Sequence, residues 1–192
     1  MFRDHPIFLE SIEYIRSRLG THRFNKLEAK VLERLIHASG DFKIKELLKF
    51  SDNACEIAIK AFQSGAPILT DTEMASSAIK SMAKGTHGNL VISVRAWIDS
   101  KKEYSPTNTA YGLEKAWLEL SENYLGDSSP VVLFGSSPTA LEKLLDLIKE
   151  STKEPSLIVG MPVGFIGVEK SKRRLLESSY NYVVMGSTRG GA

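Results

Sequence analysis

The sequence predicts an α/β three-layer sandwich, built around a mostly parallel five-stranded sheet and preceded by extra amino-terminal helices. Short, continuous apolar runs lie between turn residues, which is typical of strands that are buried on both faces. Segments with apolar residues at helical spacing separate these runs, and this alternation indicates parallel crossover units. Before the first run, the chain shows only helical patterns.

The predicted strands are short, and the clearest of them lie in the second half of the chain. The five runs span residues 67–70, 89–94, 130–135, 156–160 and 181–186. Helical spacing of apolar residues predicts seven helices, at 7–19, 25–40, 53–63, 74–82, 107–124, 138–150 and 168–178.

Polar residues and glycines mark where several of these helices begin and end. Asn25, with Glu28 three residues later, is typical of a capping box, and Gly40 predicts the end of the same helix. This end places His37 in the last helical turn. Ser137, which precedes a proline, suits the N-cap of the helix that follows the third strand.

Length and composition favour a single domain over residues 1–192. Of the 192 residues, 42% are hydrophobic and 25% are charged, as in an ordinary soluble globular protein. No apolar run approaches the roughly 18 to 20 residues that cross a bilayer, and no secretory signal is visible. A formal net charge of +2 does not point to nucleic acid. The lone cysteine excludes an intramolecular disulfide and a cysteine-built metal site, so we expect a cytoplasmic protein.

Three predicted strand ends carry small and polar residues of the kind that ligand sites use. Ligands of open parallel sheets bind at the carboxyl ends of strands, where helix amino termini also point. The Gly-Ser-Ser-Pro-Thr turn at 135–139 offers backbone N–H groups to an anion, or serves only as a helix cap. The apolar, glycine-rich loop at 160–167 suits a flat ligand or a tight connection. Near the carboxyl terminus, Arg189 is able to reach a carboxylate.

His37 is the most informative histidine, because the last turn of a helix favours imidazolium. Such a residue is suited to proton transfer near neutral pH, but a lone histidine there more often only satisfies helix carbonyls. Asp71 and Glu73 are interpreted as residues of a helix start rather than as an acid pair. The basic residues within 170–174 are interpreted as a solvated helix face.

Five motifs, taken in chain order, resemble those of one protein family. The Arg-Leu-Ile-His-Ala-Ser-Gly-Asp segment at 34–41 and the Gly-Met-Pro-Val-Gly-Phe-Ile-Gly segment at 160–167 are the most specific. Gly-Ala-Pro-Ile-Leu-Thr-Asp-Thr-Glu-Met at 65–74 and Ser-Pro-Thr-Ala-Leu at 137–141 lie between them, and Arg-Gly-Gly follows at 189–191. Over nearly its whole length the chain therefore resembles the precorrin-8X methylmutases of cobalamin biosynthesis, also named cobalt-precorrin-8 methylmutases.

The resemblance implies a flavodoxin-like homodimer that binds a corrinoid, a tetrapyrrole, at the dimer interface, without a metal or other cofactor. The family moves a methyl group from C11 to C12 of the macrocycle, giving hydrogenobyrinate or cobyrinate. His37 falls on the catalytic histidine, which protonates or hydrogen-bonds a ring nitrogen, and Ser11 falls on a substrate-contacting serine. The other candidate substrate-binding residues are Arg95, Asn108, Ser137, Thr139, Gly164 and Arg189.

Two departures from the family leave alternatives open. Members commonly carry an arginine where this chain has Asn108, which cannot form the charged bidentate contact of an arginine. Arg95 and Arg189 are candidates to compensate, and the chain ends at Ala192, soon after the Arg-Gly-Gly motif. One alternative is therefore a non-catalytic or altered-specificity corrinoid-binding homologue. The other, an unrelated nucleotide-binding module, rests only on the 135–139 turn.

Overall fold

The computed structural model describes residues 5–99 and 101–191, so that Ala192 lies outside the described residues. These residues form a mixed α/β fold around one six-stranded sheet. The α-helices are α1 (Pro6–Leu19), α2 (Lys26–Ser39), α3 (Ile44–Leu47), α4 (Ala54–Gln63), α5 (Glu73–Gly85), α6 (Asn108–Asn123), α7 (Pro138–Lys149) and α8 (Val168–Leu176). The strands are β1 (Lys49–Phe50), β2 (Ile68–Thr70), β3 (Val91–Ser93), β4 (Val131–Phe134), β5 (Leu157–Gly160) and β6 (Tyr182–Val184).

The sheet has the strand order β1-β6-β5-β4-β2-β3. The pairing of β1 with β6 is antiparallel, and the other four pairings are parallel. The five predicted strands are all present, but the prediction of a five-stranded sheet was wrong, because β1 adds a sixth. A two-residue strand carries no apolar run or alternation for a sequence pattern to detect, and only its backbone pairing with β6 defines it.

The five parallel strands lie in the order β3-β2-β4-β5-β6. In chain order, the sheet first grows from β2 to β3 on one side and then continues from β4 on the other side of β2. The point at which the direction of growth reverses therefore lies between β2 and β4. In open α/β sheets, the crevice at the carboxyl ends of the two strands flanking this switch point is where ligands gather.

Helices cover both faces of the sheet. Side chains alternate between these faces along each central strand, so that successive residues pack against different helices. Val131 and Leu157 pack into a buried cluster with residues of α1, α2 and α4. Val132 and Ile158, the next residue on each strand, pack into a second cluster with residues of α6, α7 and α8. The result is the predicted arrangement of three layers.

The helix boundaries follow the predicted capping signals. Asn25 and Glu28 form the expected capping box, and Gly40 ends α2 in the left-handed conformation, with φ of 69°. Ser137 is the N-cap of α7, and its hydroxyl accepts a hydrogen bond from the backbone N–H of Ala140 at 3.2 Å. Within residues 5–99 and 101–191, no helix is long and apolar enough to span a membrane.

Candidate functional site

Most of the candidate residues lie at one edge of the sheet. Because β2 to β6 are parallel, the segments that follow these strands all leave the same edge. They carry Asp71, Arg95, Ser137, Gly164 and Arg189. The antiparallel β1 begins at this edge, since Lys49 pairs with Val184 near the end of β6.

A chain of hydroxyl groups joins the first turns of α6 and α7. The hydroxyl oxygens of Thr107 and Thr139 are 2.9 Å apart, and those of Thr139 and Ser137 are 3.1 Å apart. Thr107 is also the N-cap of α6, accepting a hydrogen bond from the backbone N–H of Ala110 at 3.2 Å. The candidate residues Ser137 and Thr139 thus meet where two helix amino termini favour negative charge. Thr107, Thr139 and Ser137 are called the hydroxyl chain below.

Asn108 is the first residue of α6, next to the hydroxyl chain. Its side-chain oxygen accepts a hydrogen bond from the backbone N–H of Tyr104 at 3.0 Å. The ring of Tyr104 in turn stacks on the ring of Tyr111, with centroids 3.9 Å apart. The amide that replaces the expected arginine therefore closes a turn of the loop before α6.

The loop after β5, residues 161–167, presents apolar side chains outward and is called the apolar loop below. Phe165 and Ile166 are 82% and 87% exposed. Gly164 has φ of +146°, and a Cβ added there would lie 3.3 Å from Cγ2 of Val168. Side chains other than hydrogen rarely tolerate this backbone conformation, so glycine is what permits the path of the loop. The backbone N–H of Gly164 donates to the carbonyl oxygen of Arg189 at 3.1 Å, which ties the loop to the carboxyl-terminal segment.

The guanidinium of Arg189 lies at the surface beside the apolar loop. Its Nε donates to Oε1 of Glu169 at 3.0 Å, and its Cζ lies 5.9 Å from the centroid of the Phe165 ring. Both members of this ion pair are exposed, and exposed pairs contribute little to stability. Arg189 is therefore able to exchange Glu169 for a ligand carboxylate at small cost.

A buried lysine fixes the carboxyl-terminal segment. Lys172 is 0% exposed, and its Nζ donates to the carbonyl oxygen of Thr188 at 2.9 Å and to that of Gly190. Burial lowers the pKa of Lys172 to about 8. The interpretation of the basic residues within 170–174 as a solvated face was wrong for this residue, because it lies on the inner face of α8. Sequence reasoning missed it, since nothing in a basic run shows which member faces inward.

His37 and Ser11 line one cavity of about 450 Å³, formed by α1 and the end of α2 and called the histidine cavity below. The exposed ring of His37 contacts the ring of Phe8 edge-on, with centroids 4.9 Å apart and an interplanar angle of 82°. The hydroxyl of Ser11 donates to the carbonyl oxygen of Ile7 at 2.9 Å. In the sequence, His37 and Ser11 were linked only through the family resemblance, and in the structure both line the same concave surface.

The candidate residues lie around the three features just described, of which the hydroxyl chain and the apolar loop adjoin, because a Cβ added at Gly167 would lie 3.9 Å from Cβ of Pro138. The histidine cavity holds His37 and Ser11, the hydroxyl chain adjoins Asn108, and the apolar loop is bonded to Arg189. Arg95 belongs to none of them, and lies exposed on a 3-10 helix, Val94–Trp97. Within the described ranges, no cluster of three or more His, Cys, Asp or Glu side chains is placed to hold a metal ion.

Asp71 is the site residue that sequence reasoning missed most clearly. Thr72, and not Asp71, caps α5 by accepting a hydrogen bond from the backbone N–H of Ala75 at 3.2 Å. Asp71 is 2% exposed, and its Oδ2 accepts hydrogen bonds from three successive backbone N–H groups, at 3.1, 2.7 and 2.7 Å: those of Gly135, Ser136 and Ser137. The turn therefore does not offer these donors to an external anion, which removes the observation behind the nucleotide-binding hypothesis.

Comparison with known proteins decides the family. The family model of precorrin-8X methylmutase matches residues 6–192. The chain belongs to the precorrin-8X methylmutase family. Membership makes it an isomerase, because a methylmutase moves a methyl group within one molecule. The resemblance drawn from the five motifs is confirmed.

Individual members of the family are similar along most of their length. The cobalt-precorrin-8 methylmutase of Leptospira interrogans is 31% identical, covering 95% of this chain and 85% of that relative. The precorrin-8X methylmutase of a Sinorhizobium species is 34% identical, with 98% and 89% covered. A solved structure, the precorrin-8X methylmutase of Thermus thermophilus, superposes with a TM-score of 0.85 at 33% identity, covering 97% of this chain and 87% of that one.

Proposed function

We propose that this chain transfers a methyl group from C11 to C12 of precorrin-8X, or of its cobalt form, in cobalamin biosynthesis. Family membership supports the reaction class. The structural observation that carries the proposal is the histidine cavity, because it brings His37 and Ser11 together on one concave surface.

In this proposal His37 protonates or hydrogen-bonds a ring nitrogen of the macrocycle. His37 lies in the last turn of α2, where its ring lines the histidine cavity. A proton on the conjugated ring stabilises the charge distribution of the migrating system. The edge-on contact with Phe8 orients the imidazole before the substrate arrives.

The remaining candidate residues suit the shape of a corrinoid, which is a flat apolar disc fringed with carboxylates. The exposed side chains of Phe165 and Ile166 offer an apolar surface to the face of the disc. The hydroxyl chain lies at two helix amino termini, where a carboxylate is favoured. Arg189, and on another segment Arg95, supply cations to the fringe.

We further propose that a second copy of the chain completes the site, as a homodimer of single flavodoxin-like domains spanning residues 1–192. Two observations support this arrangement. The lining of the histidine cavity includes no residue of the hydroxyl chain or of the apolar loop, and the apolar loop leaves large apolar side chains exposed. The cytoplasmic location stays a prediction.

Replacement of the histidine tests the reaction. We expect His37→Ala to abolish the change in absorption spectrum that accompanies conversion of precorrin-8X to hydrogenobyrinate. His87→Ala is the matched control, because His87 is also exposed but follows α5 at the other edge of the sheet. Near-wild-type turnover by His37→Ala would exclude the proposed mechanism.

Subunit mixing tests the shared site. If each site takes His37 from one protomer and Arg189 from the other, two inactive variants, His37→Ala and Arg189→Ala, restore activity on co-expression. One intact site then forms in each mixed dimer, which gives about a quarter of wild-type activity. No recovery in mixed dimers of verified composition would place both residues in one protomer's site.

The alternative, a corrinoid-binding homologue without this turnover, rests on Asn108. Its side-chain oxygen is bonded to the backbone of Tyr104, and an amide supplies no charge to a substrate carboxylate. Incubation with precorrin-8X and with hydrogenobyrinic acid separates the two functions. Multiple turnovers support the isomerase, whereas a tight coloured complex with hydrogenobyrinic acid and no conversion of precorrin-8X supports the alternative.

A further inference from the structure

The turn between β4 and α7 directs three successive backbone N–H groups at one point. Convergent donors of this kind at the start of a helix bind phosphates and carboxylates in many proteins. Here α7 is 12 residues long, and the turn lies at the switch point between β2 and β4. In this chain the position of the anion is taken by Oδ2 of Asp71, which follows the neighbouring strand β2.

Among the described residues, the Asp71 carboxylate accepts hydrogen bonds only from backbone N–H groups. The side chain is 2% exposed, and its second oxygen, Oδ1, is buried without a hydrogen-bond partner among these residues. A Cβ added at Gly135 would lie 4.0 Å from Oδ1, in ordinary contact. Burial of a carboxylate is costly unless its hydrogen bonds and surroundings compensate. The three N–H groups and the amino terminus of α7 provide that compensation.

We propose that Asp71 is the resident anion of this turn and a positioning residue for substrate binding. Its carboxylate excludes free anions from the switch point and fixes the backbone that carries the hydroxyl chain. Ser137 is both a donor to Asp71 through its backbone and a member of that chain through its hydroxyl. The effect on substrate rests on the proposed function, whereas the effect on anion binding does not.

Emptying the turn tests the resident anion directly. Asp71→Ala removes the acceptor of three part-buried hydrogen bonds, so we expect its melting temperature to fall by about 5 °C or more. Sodium formate, a free carboxylate of matching size, is expected to restore at least half of this loss, compared with sodium chloride at equal ionic strength. Wild-type protein and Asp71→Asn, in which a side chain still fills the turn, are expected to show no formate-specific shift.

Kinetics on the proposed substrate test the positioning role. We expect Asp71→Ala to raise KM about tenfold with kcat nearly unchanged, because the hydroxyl chain contacts the carboxylate fringe rather than the reacting atoms. Formate is expected to lower the KM of this variant again. A purely structural defect, by contrast, would reduce the active fraction and therefore kcat.

Glu28→Ala is the matched control. The Glu28 carboxylate also accepts a hydrogen bond from a backbone N–H at a helix start, but from a single one, at 3.0 Å. This variant is expected to lose stability without a formate response. A formate response of Asp71→Ala no larger than that of the wild type overturns the proposal. If Asp71→Ala does not fold, Asp71→Asn decides, and wild-type melting temperature and KM in that variant overturn the proposal. Absence of turnover in the wild type itself rejects the proposed function and leaves the formate result standing.

Discussion

Two connections leave the same edge of the sheet and differ in whether their groups are satisfied within the chain or exposed. The turn after β4 satisfies its backbone N–H groups internally through Asp71 and through its own cap, Ser137. The apolar loop after β5 turns its largest side chains outward, with Phe165 and Ile166 almost fully exposed. Both follow buried parallel strands and both are rich in small residues.

The difference indicates that the turn and the apolar loop have different roles. A turn whose polar groups are satisfied within the chain has one conformation before a ligand arrives, so it suits the precise placement of hydroxyl groups. An exposed apolar loop gains stability only when another surface covers it, and large exposed apolar patches mark interaction sites. We therefore expect substitutions in the turn after β4 to change stability, and substitutions of the exposed apolar side chains of the apolar loop to change binding.

The largest effect on stability among these predictions is expected at Gly164, one of two glycines of the apolar loop with positive φ, the other being Gly167. Gly164→Ala combines φ of +146° with a Cβ 3.3 Å from Val168, and should cost about 2 kcal/mol of unfolding free energy. Gly190→Ala is the control, because nothing lies within 4 Å of its added Cβ. Equal denaturation midpoints for the two variants would show that the path of the loop carries no strain.

Lys172, which anchors the segment bonded to the apolar loop, should make stability depend on pH. Its pKa is lowered from 10.5 to about 8 in the folded protein, so the unfolded chain binds more protons between these values. Stability from this group therefore rises with pH, by about 1 kcal/mol from pH 8 to 9.

Urea denaturation of the wild type and of Lys172→Met at pH 8 and 9 measures this contribution as a difference between the two proteins. The difference cancels the opposing effect of Cys55, whose pKa burial raises from 9.0 to about 11. Lys170→Met is the control, since Lys170 is exposed and should leave the pH dependence unchanged. The same pH dependence in Lys172→Met as in the wild type would contradict the assignment.

The turn after β4 should show a smaller loss of stability on removal of its cap. Ser137→Ala leaves the backbone N–H of Ala140 without its partner, at a cost of about 1 kcal/mol. Ser136→Ala, with an exposed side chain in the same turn, should be near neutral. Equal unfolding free energies for Ser137→Ala and Ser136→Ala would show that the cap does not stabilise the turn. The turn would then not differ in stability from the exposed side chains of the apolar loop.

The smallest effect on stability, and the largest on binding, is expected in the apolar loop. Phe165→Ser should change the unfolding free energy by less than about 0.5 kcal/mol, because the ring is 82% exposed. It should nevertheless weaken the binding of hydrogenobyrinic acid, followed by absorption titration. Leu118→Ser on α6, also an exposed apolar residue, should leave binding unchanged. Unaltered binding by Phe165→Ser would show that the loop does not cover the ligand.

Local patterns were sufficient for most elements of the fold. The five parallel strands, the capping box at Asn25 and the helix end at Gly40 all depend on neighbouring residues, and all were predicted. The family followed from five motifs in order, and the comparisons confirm it. β1 was missed because two residues make no pattern.

The roles of single polar residues were harder to predict. Asp71 and Lys172 stand in sequence contexts typical of a helix cap and of a solvated face. Their actual partners lie 64 to 66 residues away for Asp71, and 16 and 18 residues away for Lys172. A polar side chain that is able to cap a helix or to face solvent gives no indication, in the neighbouring sequence, that it binds a distant backbone group instead.

The sequence by itself therefore determined the layers, most elements and the family, because apolar periodicity, caps and ordered motifs are properties of adjacent residues. Only the tertiary structure decided which polar groups satisfy one another at the carboxyl edge of the sheet. The parallel pairing of β2 with β4 places Asp71 on the donors of the 135–139 turn, and the packing of α8 buries Lys172. Burial makes an unpaired polar group costly, and which groups are buried depends on contacts between segments that are distant in the chain.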